Sequence, residues 1–202
     1  GVDYDNTSID ENTRIVEILQ PDGKPDMLQQ IEHGVLSIVG GYKSMGRFYR
    51  GIIVPNKRQY ILLGDPVNHS DNKVFSNSEA DEQIPVGLEG APDDRWVFTE
   101  ENPGRELSTA AALAAASRVL KNSNPELAEE CLSIAESIWN THKKESFVQK
   151  SELAVEMLRT TNKQEYSDFL VNNSEAIIAN ISNTGWIVGP ALPLIQNDNF
   201  KD

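Results

Sequence analysis

Hydrophobic positions recur at helical spacing over most of the chain. Lys24, Pro25 and Asp26 open a stretch in which Met27 or Leu28, Ile31, Val35, Ile38 and Tyr42 fall three and four residues apart, the stripe of an amphipathic helix. Gly34, Gly40, Gly41 and Gly46 weaken that helix intrinsically. Close approach of a neighbouring helix, or a break near Gly40 and Gly41, accounts for them, and they match no nucleotide-cradling pattern. Before this helix the chain is polar, with one short apolar stretch at Ile15 to Leu19 closed by Pro21, Asp22 and Gly23. After it comes a second short apolar patch at Arg58 to Leu63.

Residues 64–107 change character. Pro66, Pro85, Pro92 and Pro103 interrupt a run rich in Asp, Asn, Ser and Gly, which reads as one long irregular loop. Trp96, Val97 and Phe98 anchor at least its end. Ser108 or Thr109 then caps an alanine-rich helix running to Leu120. Asn124 caps the next, with Pro125 at its first position, where a missing N–H costs nothing. Leu127, Cys131, Ile134 and Ile138 line one face of that helix. A third spans Lys144 to Arg159. A fourth opens on Asn162 and Glu165, a capping box with Asn in place of Ser, and continues through Tyr166, Phe169 or Leu170, Ile177 and Ile181. Gly185, Gly189, Pro190 and Pro193 around Trp186 mark a turn into a last apolar stretch. Short connections at 121–123 and 160–161 favour antiparallel neighbours. The segment Ala110–Ala116 holds six alanines, more than a surface helix needs, and reads as the inner wall of a layered helical assembly.

Composition narrows the partners. The formal net charge of -13 over 202 residues opposes a phosphate backbone and an anionic membrane surface, and admits a neutral sugar polymer. No apolar run reaches bilayer length, and no signal peptide opens the chain. The single cysteine, Cys131, excludes an internal disulfide and sits in a helical stripe as a small buried apolar group.

Three stretches resemble glycoside hydrolase family 9. The first is Asp22-Gly23-Lys24-Pro25-Asp26-Met27-Leu28 followed by Ile31-Glu32-His33-Gly34. The second runs from Tyr42 to Leu63, with Gly51-Ile52-Ile53-Val54-Pro55 and Tyr60 to Asp65. The third is Asp94-Arg95-Trp96-Val97-Phe98 leading through Glu106-Leu107-Ser108-Thr109 and the alanine segment to Arg118, then Asn124-Pro125-Glu126-Leu127-Ala128 and Cys131-Leu132. The resemblance implies an all-α fold, part of an (α/α)6 toroid of antiparallel helix pairs with one long irregular loop. It also implies inverting cleavage of β-1,4-glucan or a related hemicellulose. Inversion needs a carboxylate base and a carboxylic acid about 6.5–9.5 Å apart, so that water fits between them. In this family the base lies in an Asp-Ala-Gly-Asp motif upstream of the first matched helix, and the acid is a Glu near the far end of the domain. Asp3 and Asp5 lack the Ala-Gly spacing, so no catalytic residue is assigned and the chain is expected to be inactive by itself. On this reading residues 1–63 are the first helical part, 64–107 the loop and 108–202 helical hairpins of an incomplete catalytic domain.

Asp94, Arg95 and Trp96 are the candidate substrate contact. A Trp ring stacks on a pyranose face while Arg and Asp hydrogen-bond its hydroxyls; alternatively Trp96 pins the loop to the core and Arg95 pairs with Asp94. His33 reads as a packed or capping histidine. Asp65, Asn68, Asp71 and Asn72 around His69 have oxygen ligands for a hard cation but no closing Glu, so a solvated loop is the default. No cofactor or protein metal site is expected, although the parent enzyme admits a structural calcium. Trp139 and Trp186 suit core or interface packing. The expected partner is a β-glucan or hemicellulose oligosaccharide, with no nucleic acid and no membrane, and a homodimer through apolar faces left uncovered. The resemblance places the protein outside the cell or in the periplasm. A non-catalytic helical module, binding carbohydrate or another protein, is the alternative.

Overall fold

The computed structural model describes residues 4–10, 12–13, 15–49, 51–52, 60–64, 83–84, 94–98, 101–142 and 146–201. They divide into two compact units, one formed by 1–40 and 102–202, the other by 41–101. The class is all-α with packed helix pairs, to which two small antiparallel sheets are added.

The larger unit begins with a hairpin, β1 (Thr7–Asp10) and β2 (Ile15–Ile18), in the register Thr7 opposite Ile18 and Asp10 opposite Ile15. The Asp10 carboxylate closes its turn by accepting the backbone N–H groups of Asn12 (2.9 Å) and Thr13 (3.2 Å). The Thr13 side chain first, and then those backbone bonds, hold Asp10 below the ordinary carboxylate pKa. Helix α1 (Asp26–Met45) follows, and Asp26 takes the N–H groups of Asn6 and Thr7 on one oxygen, tying the hairpin to the helix start. Val35 and Val39 are its buried apolar residues; Leu28 is half-buried and Met27 is exposed, which settles the choice between them.

Helix α1 does not break at Gly40 and Gly41. Close approach explains Gly41, although the neighbour is an aromatic ring and not a helix: a Cβ there would run into the side chain of Tyr49. Gly34 has open space around it. Gly34→Ala therefore stabilises the chain by about 0.5–1 kcal/mol, since only unfolded-state entropy changes. Gly41→Ala destabilises it by about 1–3 kcal/mol through the forced ring displacement. Denaturant melts of the two variants check the opposite signs.

The core of the larger unit is a helical layer. Helix α2 (Pro103–Leu120) packs on both α3 (Pro125–Thr141) and α4 (Phe147–Thr161). Leu107, Ala110, Leu113, Ala114 and Leu120 of α2 are fully buried, the position expected of an inner wall. Its start differs from expectation. Asn102 is the N-cap, its side chain accepting the Arg105 N–H at 3.1 Å, with Pro103 at the first position. Ser108 sits inside the helix, where its hydroxyl donates to Glu152. Asn124 and Pro125 open α3 in the same way, as expected, the Asn124 side chain accepting the Leu127 N–H at 3.2 Å.

Asn162 also has another role. It ends α4 in the left-handed conformation, φ 55°, its N–H bonded to the Leu158 carbonyl, and so does not cap the next helix. Asn tolerates that region because its short polar side chain bonds locally. The expected fourth helix is three pieces, α5 (Gln164–Asn172), α6 (Ser174–Ala179) and α7 (Ile181–Val188), followed by a 3-10 turn (Gly189–Leu194) and α8 (Asp198–Lys201). Asn173 and Asn180 occupy the two joints, their side-chain amides donating to the carbonyls of Phe169 (2.7 Å) and Ala176 (2.9 Å). Such back-bonding competes with the helix ladder and bends the chain.

In the smaller unit, β3 (Gly51–Ile52) and β4 (Tyr60–Gly64) flank β5 (Asp94–Phe98) in a three-stranded antiparallel sheet. The end of the expected loop is thus anchored as a central strand, and the loop's other end point moves from 107 to the N-terminus of α2 at Pro103. Residues 65–82 and 85–93 lie outside the described residues. Tyr42 and Phe48 pack with ring centroids 5.1 Å apart.

Cys131 is fully buried, as its stripe position predicts, and burial pushes its thiol from 9.0 up to about 11, with Glu130 adding to the shift. Burial also raises Tyr166, and the Glu136 carboxylate raises Lys163. A group whose pKa is higher in the folded state stabilises it below the unfolded value and loses that contribution as pH climbs through the folded value. All three shifts have this sign. The melting temperature therefore declines from about pH 9 upward, beginning with the Cys131 window, and thermal melts across pH 8 to 11 test it. Below pH 9 Cys131 reacts with a thiol reagent only when the chain unfolds.

Candidate functional site

The helical layer leaves a cleft of about 320 Å³ between α2, α4, α7 and the 3-10 turn. Its floor is the alanine face of α2, Ala111, Ala112 and Ala115 at helical spacing. One wall is Glu152, Val155 and Glu156 of α4, and the other is Trp186, Ile187 and Pro190. Trp186 is 71% exposed. Thr184, Ile187 and Val188 are the residues of α7 that turn inward, which leaves position 186 on the wet side of so short a helix. Trp139, by contrast, is core. It meets Tyr166 and Phe169 edge-on at 5.0 and 5.2 Å, and the Lys150 ammonium lies 3.4 Å from its ring centroid.

The carboxylates of the cleft are committed to structure to different degrees. Glu156 takes Arg118 on one oxygen and Arg159 on the other, both at 2.6 Å. Arg118 also donates to the Thr160 hydroxyl at 2.7 Å, and that hydroxyl donates to the Ala114 carbonyl at 2.9 Å, stitching α2 to α4. Both Glu156 oxygens are thus taken by guanidinium donors, charge-assisted bonds that fix the carboxylate in place. Glu152 accepts the Ser108 hydroxyl at 2.9 Å. The two glutamates stand one turn apart on one helix, on one side of the cleft. A further half-buried pair, Glu106 with His142 at 2.5 Å, joins the start of α2 to the end of α3. The arrangement offers an exposed aromatic face, small side chains beneath it and acceptors beside it, which suits a flat ligand with hydroxyl groups.

The expected contact residues fall elsewhere. Asp94, Arg95 and Trp96 are consecutive on β5, opposite Gly64, Leu63 and Leu62 of β4. Successive strand positions alternate between faces, so positions 94 and 96 share one face of the sheet and 95 lies on the other. His33 is exposed on α1. Asp5 accepts the N–H groups of Asp22 (2.9 Å) and Gly23 (2.8 Å), one on each oxygen, a structural role. Asp3, and the oxygen-rich stretch of Asp65, Asn68, His69, Asp71 and Asn72, lie outside the described residues. Among the described residues no group of three or more His, Cys, Asp or Glu is placed to hold a metal ion. No described helix is long and apolar enough to cross a membrane. Sequence reasoning missed Trp186 because the prolines and glycines around it read as a turn; the signal that would have found it is its offset from the inward set at 184, 187 and 188.

The described helices pack in pairs, which makes the protein one of the all-α class. The family model for glycosyl hydrolase family 9 matches residues 52–188, more than half of the chain. The chain belongs to glycosyl hydrolase family 9. Comparison with curated proteins and with solved structures gives no match.

The two tryptophans in the helical layer separate packing from surface. Trp139→Ala removes a buried ring and costs about 3–5 kcal/mol. Trp186→Ala changes stability by no more than about 0.5 kcal/mol, as for other exposed positions. Equilibrium unfolding of both variants tests the assignment, and equal losses would contradict it.

Proposed function

We propose that this chain is scaffold and part of the substrate cleft of an inverting hydrolase of β-1,4-glucan or a related hemicellulose, its helix pairs forming part of an (α/α)6 toroid. The observation that carries the reading is the family match across 52–188, which spans β4, β5 and the packed helices α2, α3 and α4. Asp94, Arg95 and Trp96 are proposed as a sugar contact, with the Trp96 ring stacking on a pyranose and the charged neighbours bonding its hydroxyls. The enzyme of which this chain is part acts outside the cell or in the periplasm, where such polymers occur.

The chain by itself is proposed to be inactive. Inversion requires two carboxyl groups facing each other across a water, about 6.5–9.5 Å apart. In the helical cleft Glu152 and Glu156 lie on the same helix and do not face each other across a water, and both Glu156 oxygens hold arginines. Asp5 is occupied by backbone donors. Pure chain incubated with carboxymethylcellulose or xyloglucan is expected to release no measurable reducing sugar, and a robust rate would overturn the reading.

The exposed Trp186 favours a second reading, a non-catalytic module that binds carbohydrate. The gene on either side of these residues separates the two. An Asp-Ala-Gly-Asp motif upstream with a suitably placed Glu downstream supports the hydrolase, and a stop codon after residue 202 with no such motif supports the module.

A further inference from the structure

No further inference is drawn: the strongest candidate, the outer strand β2 of the β1–β2 hairpin with Ile15, Val16 and Ile18 exposed along it and Leu19 exposed at its end, is an unpartnered apolar edge, and nothing in the structure shows what covers it.

Discussion

Small side chains let α2 lie against α3 and α4 at once, and the larger unit is organised around that contact. Where leucine spaces two helix axes, alanine allows closer approach, and interaxial distance follows the side chains at the contact. Ala110, Ala111 and Ala114 of α2 are buried with Leu107, Leu113 and Leu120 at intervals among them, so close approach and interdigitation occur on one element. Ala128 and Ala135 of α3 and Ala154 of α4 are also buried. A larger residue at Ala114 would both separate the helices and displace the carbonyl that receives Thr160.

The polar links across this layer depend on that spacing. The Ser108–Glu152 bond and the Arg118–Glu156–Thr160 cluster span α2 and α4, side by side with the apolar contact. Such charge-assisted bonds are directional, and they place α4 in register with α2 where apolar contact alone would tolerate sliding. The same cluster ties up Glu156, beside the aromatic and small-residue surface of the adjoining cleft.

Membership of the family and the chemistry of the cleft rest on different evidence. The family comes from a match along 52–188, and the cleft from packing of α2, α4 and α7. Every residue that lines the cleft except Pro190 lies within the matched span.

The sequence by itself determined the helices whose signals are local. Asn124 and Pro125 set the start of α3, and the stripe through Leu127, Cys131, Ile134 and Ile138 set its buried face, because capping and periodicity act within a few residues. The alanine run showed that α2 is enclosed. The cap at Asn102 and Pro103 was equally legible by the same Asn-Pro rule, but the proline-rich surroundings hid it. What only the tertiary structure decided depends on partners far along the chain. Strand β5 exists as a central strand because β4 and β3 pair with it, and no short-range pattern specifies those partners. The joints at Asn173 and Asn180 split one periodic stretch into three helices; the Asn173 side-chain amide takes the Phe169 carbonyl, and the Asn180 amide shares the Ala176 carbonyl with its own backbone N–H. Only the fold buried the Gln29 amide, gave Nε2 to Asp22 and left Oε1 without a donor. Local rules write the elements, and burial, set by residues distant in the chain, decides which polar atoms find partners.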